Sequence, residues 1–169
     1  MSLELPRKFF EILLLNEGGY VNDKNDAGGE TKFGISKRAY PAVDIKNMSL
    51  DDAYIIYNRD YWRPISVKLG DVCSDKLMFV LFDFSVNSGT KAAFRGLQRA
   101  VGITGKDADG LVGNITRTAM SKFTEREIIV AVLDQRRELI RSLVVMGKLH
   151  PSFERGIQAR IDRCAREVL

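Results

Sequence analysis

Two acidic side chains, Glu17 and Asp26, stand in a polar, glycine-rich stretch that covers residues 17–35. A glycosidase needs two carboxyl groups, one that gives a proton to the leaving oxygen and one that stays ionised beside the sugar. Glu17 directly follows the apolar run ILLLN. Apolar neighbours and the dipole at the end of a helix both favour the protonated acid. Asp26, in the polar loop, suits the ionised role, so the pair indicates cleavage of a glycosidic bond.

Three further residues of this stretch are candidates for the same site. The hydroxyl of Thr31 can hold a water molecule, and Asp23 and Glu30 are alternatives to Asp26 as the second carboxylate. The plain alternative for Glu17 is an ordinary surface carboxylate that ends a helix. The residues alone leave both interpretations open.

Other catalytic classes lack the residues that they need. His150 is the only histidine and has no nucleophile motif beside it, which argues against Ser-His-Asp and Cys-His sites. Neither a Walker loop nor G-x-G-x-x-G is present. DKNDAG begins like a calcium loop, but Ala27 and Gly34 occupy positions that need oxygen ligands. We therefore expect no metal and no organic cofactor.

A helix and a small hairpin are predicted to position the acidic residues. Pro6 suits the first turn of a helix, and the apolar residues of 9–14 share one face. The glycines after Glu17 should end this helix. Residues 18–36 hold too many Gly, Asn and Asp for a helix, and the alternation around Phe33 allows only a short strand or hairpin.

The rest of the chain has the sequence pattern of helices with recognisable first turns. A capping box at Ser49 begins a helix that should stop before Pro64, and a second one at Thr124 begins a helix that ends near Gly147. GITGKDADGLVGN is predicted to be a loop. Further helices are expected over about 71–88 and 90–102 and from about 116 and 151. The prediction is a mainly α fold.

Composition limits the class of protein. The chain has 169 residues, 45% of them hydrophobic, and suits one globular domain without a membrane span or a recognisable signal peptide. A net charge of +4 favours an anionic partner. The arginines of 136–141 and 155–166 recur beside acids at helical spacing, which predicts solvated helix faces. Cys73 and Cys164 are predicted to be buried thiols, with a disulfide as the alternative.

Several stretches of the sequence resemble one protein family. They are E-G-G-Y-V-N-D followed by D-A-G-G-E-T-K-F-G-I-S, A-Y-I-I-Y-N-R-D-Y-W-R-P-I at 53–65, and F-D-F-S-V-N-S-G at 82–89. These motifs resemble glycoside hydrolase family 108, a group of phage-type endolysins and bacterial muramidases also called secretion activators. G-L-Q-R-A-V-G and D-G-L-V-G-N-I-T resemble the predicted peptidoglycan-binding section that completes such proteins.

The resemblance implies a lysozyme-like fold, α+β with at most a small hairpin next to the active-site helix. It also implies cleavage of peptidoglycan between N-acetylmuramic acid and N-acetylglucosamine. The family's catalytic glutamate falls on Glu17, and phage lysozymes, which are more distantly similar, share its spacing to Asp26. Thr31 comes one residue earlier than their pattern. The implied organisation is a catalytic section, 1–89, packed as one unit with a helical wall-binding section, 90–169.

Four residues are candidates for contacts with the sugar. Tyr20 and Asn22 lie close to the acid in a loop that offers them no core, so we expect them in a cleft. Trp62 suits stacking on a sugar ring or packing in the core. Asn87 suits binding of an N-acetyl group or capping of its helix. The choice between stacking and core packing also applies to Tyr57 and Tyr61.

The predicted function is a muramidase whose partner is the peptidoglycan glycan strand, with no nucleic acid and no stable membrane insertion. It would be made in the cytoplasm and act in the periplasm or cell wall. One competing class is a noncatalytic wall-binding or secretion-accessory protein. Another is a helical nucleic-acid-binding module, against which the interspersed 22 acidic and 26 basic residues argue. Oligomeric state and stereochemical outcome stay open.

Overall fold

A computed structural model describes residues 3–22 and 29–169 of the chain. It divides into two compact units, which we call the hairpin unit, Glu4–Arg63, and the helical unit, which contains Pro64–Leu169. The structural boundary therefore lies after Arg63. The predicted functional division after residue 89 is a different boundary and stays a prediction.

The hairpin unit combines helices with one small antiparallel hairpin, as predicted. Its elements are α1 (Arg7–Leu14), β1 (Thr31–Lys32), β2 (Ile35–Ser36), α2 (Leu50–Tyr57) and a π-helical turn (Asn58–Trp62). The side chain of Ser49 accepts a hydrogen bond from Asp52 N–H, and Asp52 bonds back to Ser49 N–H. This reciprocal capping box fixes the start of α2, as its S-x-x-D pattern predicts.

The prediction that this helix stops before Pro64 is wrong. A π-helical turn follows α2, in which Arg63 N–H bonds to the carbonyl of Asn58, five residues earlier. The chain then continues as α3 (Arg63–Leu69). Pro64 falls in the first turn of α3, where a residue needs no N–H for the helix. The wider turn thus allows the proline within a continuous helical path.

The helical unit consists of helices joined by short connections. After α3 these are α4 (Asp75–Ser88), α5 (Thr90–Ala100), a 3-10 turn (Gly105–Asp107), α6 (Asn114–Met120), α7 (Glu125–Val145) and α8 (Pro151–Val168). The helices α6 and α4 begin within four residues of their predicted starts, and Pro151 opens α8 as predicted. A capping box of Thr124 and Glu127 begins α7, again as predicted.

The core of the helical unit forms around α4. Every residue from Leu77 to Ser85 is buried, and α4 packs against α5, α7 and α8. A helix that is apolar on nearly all faces is typical of a central, buried position. One acidic residue, Asp83, lies within this apolar run and is 1% exposed.

Two arginines pair with Asp83 inside the helical unit. Arg136 Nη1 donates to one carboxylate oxygen at 2.6 Å, and Arg160 Nε donates to the other at 2.9 Å. Arg136 is fully buried, and the Arg160 side chain is 11% exposed. The prediction of solvated helix faces is therefore wrong for these two residues, because an acid on a separate helix gives their charges a buried partner.

Both cysteines are buried and free, so the predicted thiols are confirmed. Burial raises the pKa of the Cys73 thiol to about 12 and raises the pKa of Cys164 as well. Among the described residues no helix is both long and apolar enough to cross a membrane.

Candidate active site

Glu17 lies just beyond the end of α1, as the sequence predicts. The buried residues Phe9, Phe10, Ile12 and Leu13 hold α1 against its core. Beyond Leu14 the helix unwinds into a turn in which Glu17 N–H bonds to the Leu14 carbonyl at 3.1 Å. The side chain of Glu17 is half-buried. An acid at this place is partly shielded from water yet still reachable, which is what proton donation to a bound ligand requires.

A two-residue hairpin turn comes close to this acid. Phe33 and Gly34 join β1 to β2 with φ angles of 51° and 76°. Positive φ at both central positions is the type I′ pattern that matches the twist of hairpin strands. Glycine suits the second position, whereas a bulky residue such as Phe33 is rare at positive φ.

The carboxyl group of Glu17 packs directly on the backbone of Gly34. A Cβ on Gly34 would overlap Oε2 of Glu17, would lie 2.6 Å from its Cδ, and would lie 2.7 Å from the hydroxyl oxygen of Tyr57. A side chain at position 34 would therefore displace the Glu17 carboxyl group or the Tyr57 hydroxyl, and the φ of 76° would strain it as well. We call these three residues, Glu17, Gly34 and Tyr57, the Glu17 cluster. Sequence reasoning missed Gly34 as part of the site, although the F-G dipeptide between T-K and I-S signals the turn, and it considered Tyr57 only for sugar stacking or core packing.

Tyr57 ties the hairpin turn to α2. Its hydroxyl donates a hydrogen bond to the Phe33 carbonyl at 2.8 Å. The ring is buried, with centroids 6.1 Å from Phe10 and 5.7 Å from Tyr61. Core packing is thus confirmed for Tyr57, while Tyr61 is half-buried.

Polar residues surround the base of the loop that follows Glu17. Val21 and Thr31 exchange two backbone hydrogen bonds of 2.8 Å, and the Thr31 hydroxyl donates to the Gly29 carbonyl at 3.4 Å. The Tyr20 hydroxyl donates to Glu30 at 2.7 Å, and this hydrogen bond raises the pKa of Tyr20. The structure thus brings Tyr20 and Glu30 together on the exposed side of this loop.

Not every predicted site residue is among those that the structure describes. Asp26 and its rival Asp23 lie outside the described residues. Asn22 is exposed, and its side chain acts to lower the pKa of Tyr20, against the larger effect of Glu30. Asn87 is exposed on the last turn of α4, in the helical unit, and its predicted role in sugar binding stays a prediction.

Trp62 lies in the core. Its side chain is fully buried, and its ring centroid is 6.2 Å from that of Phe9. A buried ring offers no face to a sugar, so the structure does not support the predicted stacking role and favours the core-packing alternative. The sequence could not separate the two, because aromatic residues suit both environments.

The described residues contain no group of three His, Cys, Asp or Glu side chains that is placed to hold a metal ion. The single histidine, His150, caps the start of α8. Its Nδ1 accepts a hydrogen bond from Ser152 N–H at 3.3 Å and lies 2.8 Å from the Ser152 hydroxyl.

Comparison with known proteins agrees with this architecture. The solved structure of Brucella abortus SagA superposes with a TM-score of 0.77 and 27% sequence identity, and the match covers 96% of this chain and 92% of that one. The chain has a lysozyme-like fold. Residues 10–89 match the model of the family Glycosyl hydrolase 108. This segment contains Glu17, the hairpin and Tyr57. No curated protein matched the sequence.

Proposed function

We propose that the protein is a peptidoglycan hydrolase of the N-acetylmuramidase type and that Glu17 is its general acid. The observation that carries this proposal is the half-buried carboxyl group of Glu17 against Gly34, inside the segment that matches the glycosyl hydrolase family model. Glycoside hydrolases use a carboxylic acid to protonate the leaving oxygen. Glu17 has the side chain and the surroundings for this step.

In this proposal the protonated Glu17 gives its proton to the glycosidic oxygen as the bond to the muramic acid carbon breaks. As that bond breaks, a second carboxylate either activates a water that adds to the carbon or bonds to the carbon itself; in the second case water, deprotonated by Glu17, later hydrolyses the glycosyl-enzyme ester and frees the carboxylate. Asp26 is the first candidate for this carboxylate, and Asp23 and Glu30 are the alternatives. Glycosidases whose carboxyl groups are roughly 5 Å apart retain configuration, and those with about 6.5–9.5 Å between them invert it. Tyr20, which bonds to Glu30, and Asn22 would contact the glycan.

The site of action would be the periplasm or the cell wall. Peptidoglycan is rich in carboxylates, and a protein with a net charge of +4 is attracted to such a surface. This electrostatic attraction raises the local concentration of enzyme at the wall without specifying the bond that is cut.

A second candidate function, noncatalytic wall binding, is favoured by one feature of the helical unit. A groove of about 720 Å³ is lined mainly by residues of the connection between α5 and α6 and of the first turn of α6. Its lining includes Leu111 and Ile115, which are 72% and 80% exposed. Its volume is in the range of ligand sites. The groove would serve as a wall-binding surface in an enzyme or in a protein without turnover, so activity has to be measured directly.

The experiment compares the wild type with Glu17→Gln and Glu11→Gln on purified peptidoglycan, with new reducing ends as the readout. Glu11 is an exposed glutamate on α1 and serves as the matched control. We expect Glu17→Gln to lower the rate by about 10²- to 10⁴-fold, because it keeps the shape and removes the acid. Glu11→Gln should retain wild-type activity. A fully active Glu17→Gln would disprove the assignment of the acid.

A further inference from the structure

The hydroxyl of Tyr57 is the polar end of a side chain that is otherwise fixed by packing. Tyr57 is 2% exposed, and its ring packs against Phe10 and Tyr61 in the hairpin unit. A buried ring of this kind has little freedom to rotate or shift. Its hydroxyl therefore acts as a fixed donor, and the acceptor is the carbonyl of Phe33 at 2.8 Å.

The acceptor belongs to a strained residue. Phe33 has a φ of 51°, and a bulky side chain at positive φ costs free energy that other contacts must offset. The hydrogen bond from Tyr57 is one contact that opposes relaxation of this turn. Strained backbone of this kind is concentrated at functional sites, where it holds a group in a required place.

The next residue, Gly34, is the one on which the Glu17 carboxyl group packs. A shift of the turn would therefore move the surface that supports the acid. We propose that Tyr57 is a positioning residue for Glu17: through its hydrogen bond to Phe33 it fixes Gly34, and Gly34 fixes the carboxyl group of the acid. The effect on rate rests on the proposed muramidase function, whereas the effect on the geometry of Glu17 does not.

The first test uses Tyr57→Phe, with Tyr54→Phe as the matched control. Tyr54 lies on the same helix, packs its ring 5.4 Å from Phe10, and also donates its hydroxyl to a backbone carbonyl, that of Leu5, at 2.7 Å. Each variant loses a hydroxyl that donates to a backbone carbonyl, but only Tyr57 belongs to the Glu17 cluster.

On soluble peptidoglycan fragments we expect Tyr57→Phe to lower kcat by about 10- to 10²-fold, because small displacements of a catalytic group have effects of this size. KM should stay close to that of the wild type, since the hydroxyl is donated to the Phe33 carbonyl. The pH at which activity falls should also shift. Tyr54→Phe should retain the wild-type kcat and pH profile. Equal losses in the two variants would overturn the proposal, because the effect would then be one of general stability.

The second test does not depend on turnover. In protein labelled with ¹³C-glutamate, the side-chain carboxyl resonance of Glu17 is identified by its absence in Glu17→Gln. Tyr57→Phe and Gly34→Ala should both change its chemical shift. The control Gly147→Ala introduces a side chain at a similar φ of 66° but in open space, and should leave the resonance unchanged.

The two tests separate the two proposals. A responsive Glu17 resonance in a protein that does not cleave peptidoglycan would support the positioning role and refute the muramidase assignment. An active wild type whose Glu17 resonance is unchanged in Tyr57→Phe would refute the positioning role and leave the muramidase assignment standing.

Discussion

Two carboxyl groups, Glu17 in the hairpin unit and Asp83 in the helical unit, lie in opposite environments. Asp83 is 1% exposed and paired with Arg136 and Arg160. Glu17 is half-buried on the backbone of Gly34, beside a polar loop. A carboxylate enclosed by two guanidinium groups is kept ionised and has no access to a substrate. The contrast shows how one fold uses one acid for structure and leaves another accessible for chemistry.

The charges around Asp83 decide its ionisation. Burial alone would raise the pKa of this carboxyl group, but Arg136 and Arg160 outweigh burial and hold its pKa below the usual range. Buried pairs of this kind are not strongly stabilising in themselves, yet removal of one partner leaves an uncompensated charge in the core. The loss of stability that follows the removal of Asp83 can therefore be measured.

The largest expected effect on stability is that of Asp83→Asn. This change should lower the free energy of unfolding by about 3–5 kcal/mol, because it leaves two buried guanidinium groups without a counter-charge. Urea denaturation measures the loss. The control Asp134→Asn removes an exposed partner of Arg137 and should cost about 1 kcal/mol or less. Similar losses in both variants would mean that the buried cluster is no different from a surface pair.

The pH dependence of stability sharpens the same contrast. Since the pKa of Asp83 is lowered on folding, the unfolded chain binds its proton at a higher pH than the folded chain does. Its contribution is therefore present above the unfolded pKa of 3.8 and is lost as the pH falls through the lower, folded pKa. Free energies of unfolding between about pH 6 and pH 2.5 should fall more steeply for the wild type than for Asp83→Asn.

Exposed carboxylates also contribute to the pH dependence of stability in that experiment. The hydrogen bonds of the capping boxes, from Ser49 and from Thr124, also lower the pKa values of Asp52 and Glu127. Both acids remain in Asp83→Asn, so the difference between the two proteins isolates Asp83. Parallel curves would contradict the assigned role of this residue.

The next largest effect on stability is expected for Gln98, whose side chain is buried. Gln98 on α5 accepts from Gly110 N–H at 2.7 Å and donates to Asp109 at 3.0 Å and to the Leu111 carbonyl at 3.1 Å. Gln98→Ala would remove the partner of the buried Gly110 N–H and should cost about 1–3 kcal/mol. Faster hydrogen exchange at the Gly110 amide would localise the loss to this loop. An unchanged exchange rate would show that the amide does not hold the loop.

The smallest expected effects compare the two units through their matched caps. Ser49→Ala at α2 and Thr124→Ala at α7 each remove a capping box and should each cost about 1 kcal/mol. Proteolysis at low enzyme concentration, with cleavage sites mapped by mass spectrometry, should locate the Ser49→Ala effect in the hairpin unit and the Thr124→Ala effect in the helical unit. Cleavage at the same sites in both variants would contradict the division into two units.

Helix starts could be predicted from sequence because their signals are local. The capping boxes at Ser49 and Thr124 and the proline at position 151 act within a few residues of themselves. The position of Glu17 just past α1 follows from the same kind of signal. The small hairpin was also predictable, since few other structures suit that composition.

Burial of particular side chains could not be predicted, because it depends on residues distant in sequence. Arg136 has the pattern of a solvated helix face, and only the fold brings it to Asp83. Trp62 suits stacking or packing until the core is known. Tyr57 joins the Glu17 cluster through a hairpin turn 24 positions earlier in the chain. Pro64 shows that a local rule also fails when a π-helical turn changes the register.

The most direct measurement of the central claim is mass spectrometry of peptidoglycan digested by the wild type and by Glu17→Gln, after reduction with borohydride. The account predicts reduced muramic acid ends with the wild type and none with the variant. Reduced glucosamine ends, new amino termini from cleaved stem peptides, or equal products from both proteins would contradict it.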